Sequence, residues 1–184
     1  MKKLNILFSF VLIFTSCQSQ PLKSNKMDTS KKTSNVYYNR EDSKKVDVSN
    51  DVWKNILSPE VYKIAREKGT ERPGSSEFEY KKDVGTYYCA VCGNTLFKSD
   101  TKFESGCGWP SFYEPFSKTS IIYLPDNSYG MKRTEVQCGK CHSHLGHVFE
   151  DGPPPTGLRY CINGVVLDFE KAQEAEKKFD GKKE

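Results

Sequence analysis

The chain's apolar positions change character from one stretch to the next. Leu4 to Phe14 form a nearly unbroken apolar run behind two lysines, in "MKKLNILFSFVLIFTSC". From Gln18 to Asn50 the residues are mostly Ser, Lys, Asn, Asp and Thr. That composition cannot bury enough apolar surface to offset the entropy of ordering, so 18–50 reads as a flexible polar tether. Val52, Trp53, Ile56 and Leu57 then fall on one face of a helix. Ser58 followed by Pro59 opens a second helix, with serine as N-cap and proline at N1. It runs through "EVYKIAREK" and ends with Gly69 as C′. Beyond "RPGSSEF", short runs rich in Tyr, Val, Ile and Phe alternate with Gly, Asn, Asp and Pro, which is the strand-and-turn pattern. The clearest strands are "TYYCAV", "SIIYLP", "RTEVQC", "HVFED" and "LRYCINGVVLDF". "EKAQEAEKKF" closes as a short, mostly solvated helix. The expected class is α+β, mainly β: an antiparallel-sheet domain over 51–178 behind two small helices, with a tail over 179–184.

The first apolar run is too short to cross a bilayer, which takes about 20 residues. Its lysines, apolar stretch and small residues are those of an export signal over 1–17. "FTSC" resembles the lipobox of bacterial lipoproteins, in which cleavage leaves the cysteine, here Cys17, as a lipidated N-terminus; Phe14 stands where leucine is favoured. An ordinary secretory signal is the alternative. Either way the mature protein leaves the cytoplasm, and in the first case a lipid anchors it to the bacterial cell envelope. Charge adds one exclusion. The balance is +4 over the whole chain, but residues 1–50 hold nine Lys/Arg against four Asp/Glu, leaving about −1 for the remainder. A nucleic-acid binder carries its basic face on the folded part, so no nucleic-acid partner is expected.

Six cysteines lie beyond the signal. Cys89 and Cys92 form "CAVCG", and Cys138 and Cys141 form "CGKC". Two such knuckles supply four thiolates, the number that closes a tetrahedral structural zinc site. The gap between them means the site staples two distant hairpins. Two disulfides, or a redox CxxC, are the alternatives that export to an oxidising compartment keeps open. A thioredoxin-like oxidoreductase would need a βαβ pattern around these motifs, which is absent.

Cys107 and Cys161 remain, and a plain structural disulfide between them is one reading. Local context favours another. On a strand, Arg159, Cys161 and Asn163 share one face while Tyr160 and Ile162 share the other. An arginine and an asparagine are costly in a core unless paired, so their face should look onto a cleft, where the guanidinium favours a nucleophilic thiolate at Cys161. Cys107, in "ESGCGWPSF", has flanking glycines that suit a thiol able to swing toward an oxidised partner. Trp109 is a candidate aromatic wall, or a core residue.

All three histidines lie in "CHSHLGHVFED", at 142, 144 and 147. They are candidates for a second metal site, for solvated surface positions, or for general acids beside the thiolate. On a regular strand His144 and His147 face opposite sides, so Gly146 must break the alternation if both serve one cleft.

"CGNTLF", "KFESGCGWPSF", "CGKCHSHLGHVFEDGP", "PTGLRYCIN" and "WKNILSPEVYKIAREKGTERPGS" together resemble the methionine-R-sulfoxide reductase family, MsrB, over about Val52 to Phe169. The resemblance implies two antiparallel sheets with N-terminal helices, and reduction of methionine-R-sulfoxide, free or in proteins. It implies Cys161 as the catalytic and Cys107 as the resolving cysteine, with His144, His147, Asp151, Arg159 and Asn163 as polar active-site residues. Trp109 matches the wall that holds the substrate methyl. Cys89, Cys92, Cys138 and Cys141 match the zinc ligands of the zinc-containing form, and a thioredoxin-like dithiol is the expected reductant. Gly164, where serine is frequent, is a departure off the catalytic face. A zinc-stapled binding module that uses the same cleft without reacting is the competing class.

Overall fold

The computed structural model describes residues 35–174. The export signal with Cys17, the polar residues 18–34 and the C-terminal residues 175–184 lie outside the described residues. Helix α1 (Asn50–Ile56) precedes α2 (Pro59–Ala65), in which the Ser58 side chain accepts from the Val61 N–H and Pro59 sits at the first turn. The helix expected to reach Lys68 stops at Ala65. Lys68 itself takes the left-handed conformation, φ 56°, and its ammonium reaches the buried Glu135 at 2.8 Å.

Nine strands follow among the described residues. β1 (Gly85–Cys89), β2 (Thr95–Lys98) and β9 (Leu167–Lys171) make a three-stranded antiparallel sheet in the order β2-β1-β9. β3 (Lys102–Phe103), β4 (Ser111–Phe112), β5 (Ile121–Asp126), β6 (Arg133–Cys138), β7 (His144–Phe149) and β8 (Arg159–Ile162) make the larger sheet, in the order β3-β4-β8-β7-β6-β5. The core fills the space between the sheets. Tyr87 and Phe97 from the small sheet meet Phe112 and Tyr160 from the large one, with Phe97 stacked on Phe112 at 4.3 Å. The architecture is the expected one: mainly β, two antiparallel sheets, small N-terminal helices.

One expected strand divides in two. "LRYCINGVVLDF" supplies β8 to the large sheet, then a 3₁₀ turn (Gly164–Val166), then β9 to the small sheet. The turn holds because the Glu71 carboxylate accepts the Gly164 and Val165 N–H groups at 2.6 and 3.0 Å. The tether expectation over 18–50 is corrected where residues are described. Residues 35–49 form an arm that packs on the domain. Tyr37 meets the fully buried Trp53 edge-on at 5.4 Å, and Val46 and Val48 pack against the core. Among the described residues no helix is long and apolar enough to cross a membrane.

Candidate active site

One rung of the large sheet carries the chemistry. Ser111 on β4 is opposite Cys161 on β8, Cys161 is opposite His147 on β7, and His147 is opposite Glu135 on β6. Directly opposed residues share a face and approach closely, so these four side chains line one side of the sheet. Tyr160 and Ile162, 2% and 0% exposed, turn into the core as the alternation requires. Gly146 belongs to this arrangement because a Cβ there would lie 2.0 Å from the Cys161 carbonyl oxygen.

His144 joins His147 on that face through a β-bulge. The pairing of β6 with β7 slips between Val136 and Gln137, which leaves Leu145 as the extra residue and restores His144 to the side of His147. Their rings sit 5.5 Å apart. Asn163 pins the bulge: both its backbone N–H and its side-chain amide donate to the Leu145 carbonyl at 2.9 Å. Its Oδ1 accepts from the Glu71 N–H at 3.0 Å. Asn163 is thus 3% exposed and lies beneath the cleft rather than in it, because β8 ends at Ile162 and the chain turns there. That corrects the placement expected from simple alternation.

The two loose thiols meet, with Sγ atoms of Cys107 and Cys161 3.5 Å apart. Cys107 is carried between Gly106 and Gly108, both in the left-handed region at φ 69° and 93°. The Ser105 hydroxyl donates to its sulfur at 3.0 Å, and the Ser111 hydroxyl lies at 3.5 Å. Ionisation is the reverse of what the arginine suggested. Burial, then the neighbouring Cys107, push the Cys161 thiol up to about 12, and Arg159 offsets only part of this. Burial also raises Cys107, but its hydrogen bonds with Ser105 and Ser111, the Trp109 backbone and Cys161 outweigh it and leave that thiol below its ordinary value. In the reduced pair the first proton to leave is therefore the one on Cys107.

Arg159 is committed elsewhere. Its guanidinium holds Asp151 with two hydrogen bonds of 2.9 Å and lies over the Phe149 ring at 4.5 Å. A cleft of about 590 Å³ opens at this point, with Ser105, Cys107, Asp151 and Arg159 among its lining residues. Trp109, half-buried, donates its indole N–H to the Glu71 carbonyl at 3.2 Å.

The histidines are held by carboxylates. His144 Nδ1 lies 2.8 Å from Glu135 Oε1. Burial resists ionisation of Glu135, but Lys68, Gln137 and His144 outweigh it and hold the carboxyl below its usual range. Burial keeps the His144 ring below its ordinary value and hence neutral. A neutral His144 facing a carboxylate donates Nδ1–H and leaves Nε2 as an acceptor. His147 Nε2 lies 2.7 Å from Asp126 Oδ2. Asp126 is held well below the carboxylate range by the Ser128 hydroxyl and N–H, by His147 and by Arg133.

Cys89 ends β1 with Cys92 in the turn after it, and Cys138 ends β6 with Cys141 in the turn to β7, so two distant hairpins converge as expected. Their four buried sulfurs lie within 4.8 Å of one another and could hold a metal ion. The closest pairs run between knuckles, Cys92–Cys138 at 3.6 Å and Cys89–Cys141 at 3.8 Å. Zinc–sulfur bonds of ~2.3 Å in a tetrahedron set S···S edges of about 3.8 Å, whereas a disulfide needs about 2.05 Å. The donor set fits zinc.

With the two sites in place, comparison places the chain. A SelR domain matches residues 57–171, which takes in both sites. The chain belongs to the SelR family. It is similar to a peptide methionine sulfoxide reductase MsrB of Methanosarcina mazei, 57% identical over 133 residues, 72% of this chain and 95% of that protein. A Pseudomonas putida protein of the same name is 56% identical over 125 residues, 68% and 94% of the two chains. One from Pseudomonas syringae is 59% identical over 117 residues, 64% and 89%.

Several residues that shape this SelR site carried little sequence signal. Glu135 sits in "RTEVQC", whose Arg, Thr and Gln give no sign that its carboxylate is buried; only the sheet shows it, 2% exposed. Asp126, Glu71, Ser105 and Ser111 lie in polar turns or short strands that look like ordinary surface. The inverted ionisation of the thiol pair has a direct consequence. In the reduced, substrate-free protein at mildly alkaline pH, iodoacetamide should modify Cys107 before Cys161, as read by peptide mapping, because the thiolate is the species alkylated. Earlier labelling of Cys161 would contradict the assignment.

Proposed function

We propose that this chain reduces the R epimer of methionine sulfoxide, free or within proteins, to methionine. The observation that carries the reading is the contact of two loose thiols, Cys107 and Cys161, on a rung shared with His147. A module that merely holds a partner has no use for that pair.

The sulfoxide sulfur is electrophilic, but its oxygen leaves only when protonated. The two sulfurs are 3.5 Å apart, so the single proton left on the pair can pass to Cys107 and leave Cys161 as the thiolate. Once Cys107 carries that proton, its charge no longer raises the Cys161 pKa. The Cys161 thiolate then attacks the sulfoxide sulfur while His147, cross-strand neighbour of Cys161 and held by Asp126, donates a proton to the oxygen. Attack joins the Cys161 sulfur to the substrate sulfur. That S–S bond and the substrate S–O bond then break as the hydroxyl passes to Cys161, leaving methionine and a sulfenic acid. Condensation of that sulfenic acid with the Cys107 thiol releases water and forms the disulfide. An external dithiol of thioredoxin type exchanges with it and restores both thiols.

His147 is the better proton donor of the two histidines. Each ring has one nitrogen on a carboxylate, but His147 is the one directly opposite Cys161, and its Nδ1 must carry the proton it gives. His144 stands one rung further along and orients its neighbour. Arg159 and Asp151 frame the cleft mouth, and Trp109, anchored through Glu71, supplies the wall for the substrate methyl. Asn163 acts through the Leu145 bulge as a positioning residue.

The four cysteines 89, 92, 138 and 141 are read as zinc ligands. With no open position, bound zinc supplies bracing and takes no part in the reaction. The run "MKKLNILFSFVLIFTSC" supports export with a lipid on Cys17, which would place the enzyme at the cell envelope. A reaction mixture of both epimers with dithiothreitol as reductant tests the function: the R epimer should be consumed and the S epimer left intact. Consumption of S with R untouched would overturn the reading.

A further inference from the structure

The arm of residues 35–49 precedes the SelR match, and the reaction above does not use it. Tyr37 packs on Trp53 and Arg40 pairs with Asp168 and Glu170 of β9, while further contacts fall on the four-cysteine site. Asn35, 6% exposed, donates its amide to the Val91 carbonyl at 2.7 Å, inside the first knuckle. The Asn39 N–H donates to the Cys92 carbonyl at 3.1 Å. The two backbones touch so closely that a Cβ on Gly93 would lie 2.7 Å from the Asn39 carbonyl carbon.

The same arm then reaches the second knuckle. The Lys45 ammonium donates to the Gly139 carbonyl, and the Val46 N–H to the Lys140 carbonyl at 2.9 Å. The knuckle reciprocates. Lys140 is 3% exposed, and its ammonium donates to the carbonyls of Asn39 and Asp42 at 2.8 Å each, with the Asp42 carboxylate at 3.5 Å.

Two physical consequences follow. Four thiolates around one divalent cation leave surplus negative charge in a site whose cysteines are no more than 2% exposed, which is costly without compensation. Lys140, and Lys45 from the arm, bring ammonium groups to the link between Cys138 and Cys141. Metal loss also requires a knuckle to open, a local unfolding whose cost includes every contact that spans it. The arm spans both.

We propose that residues 35–46 form a clasp that retains zinc in the four-cysteine site, bridging both knuckles and supplying Lys45 to the charge balance, so that a segment ahead of the catalytic domain sets the rate of metal loss. The proposal rests on the zinc reading of the cysteines.

The test compares zinc-loaded full-length chains. One is unaltered, one has residues 35–46 replaced by a Gly/Ser segment of equal length, and one carries Asn35→Ala with Lys45→Ala. Zinc transfer to a chromogenic chelator is timed under native conditions, and Cys107–Cys161 disulfide formation with methionine-R-sulfoxide reports the fold. Loss of two or more hydrogen bonds across the knuckles should speed release roughly tenfold or more in the replaced-arm chain and by less in the double variant, with disulfide formation intact. Release rates equal to the unaltered chain's, in variants that still form the disulfide, would overturn the clasp. If the replaced-arm chain does not fold, an unchanged rate in the double variant does the same. An unaltered chain that binds no zinc after reconstitution overturns the metal reading and the clasp together, while leaving the thiol chemistry untouched.

Discussion

Cys161→Ser is expected to abolish methionine formation, a loss of roughly 10⁴-fold or more, as for removal of a covalent nucleophile in other enzymes. The substitution is nearly isosteric on β8. The rung that joins Ser111, residue 161, His147 and Glu135 keeps its register, and the core contacts of Tyr160 and Ile162 remain. What disappears is the atom that can take the sulfoxide oxygen. A serine hydroxyl has no thiol-like pKa and cannot form a sulfenic acid. Methionine released from the R sulfoxide, counted per chain, checks this, and retained turnover would place the nucleophile elsewhere.

Cys107→Ser should separate the first half of the cycle from the second. Each chain should release one methionine and then stop when a thioredoxin-type protein is the reductant, since no internal disulfide forms for it to attack. A small thiol such as dithiothreitol, able to reach the sulfenic acid directly, should restore cycling. The same variant carries a second signature. Cys107 is, after burial, the main cause of the high Cys161 pKa, so its removal lowers that pKa and should speed alkylation of Cys161. Normal cycling with the protein reductant would mean that another thiol resolves the intermediate, and the described cysteines other than 107 and 161 all lie in the four-cysteine site.

Much of this site is legible from residue order alone, because its strongest signals are local. The CxxC spacings mark the knuckles, and the alternation through "RYCI" separates Tyr160 and Ile162 from Arg159 and Cys161. Where the outcome depends on partners distant in sequence, the local pattern misleads. Asn163 reads as the next cleft residue, yet the strand ends one position earlier and its amide is consumed by Leu145 and Glu71. Arg159 reads as the group that ionises Cys161, yet Asp151 holds it, while Ser105 and Ser111 favour the other thiol. Residues 35–49 are polar enough to pass for a tether because what orders them is a few scattered apolar residues, Arg40 on β9 and hydrogen bonds to the knuckles, which composition does not reveal. The bulge at Leu145 lies between these cases. A break in alternation is expected at Gly146 if both histidines serve one cleft; the break is there, but the extra residue is Leu145, while Gly146 pairs in register with Val136.

The central claim is that Cys161 takes the oxygen and Cys107, already in contact, closes on it over a movement of about 1.5 Å, the difference between 3.5 Å and a disulfide bond length. Peptide-mapping mass spectrometry after one equivalent of methionine-R-sulfoxide, without reductant, tests it directly. The expected product is a single intrachain Cys107–Cys161 disulfide with Cys89, Cys92, Cys138 and Cys141 unmodified. Methionine formed with a disulfide among those four, and Cys107 and Cys161 still reduced, would contradict it.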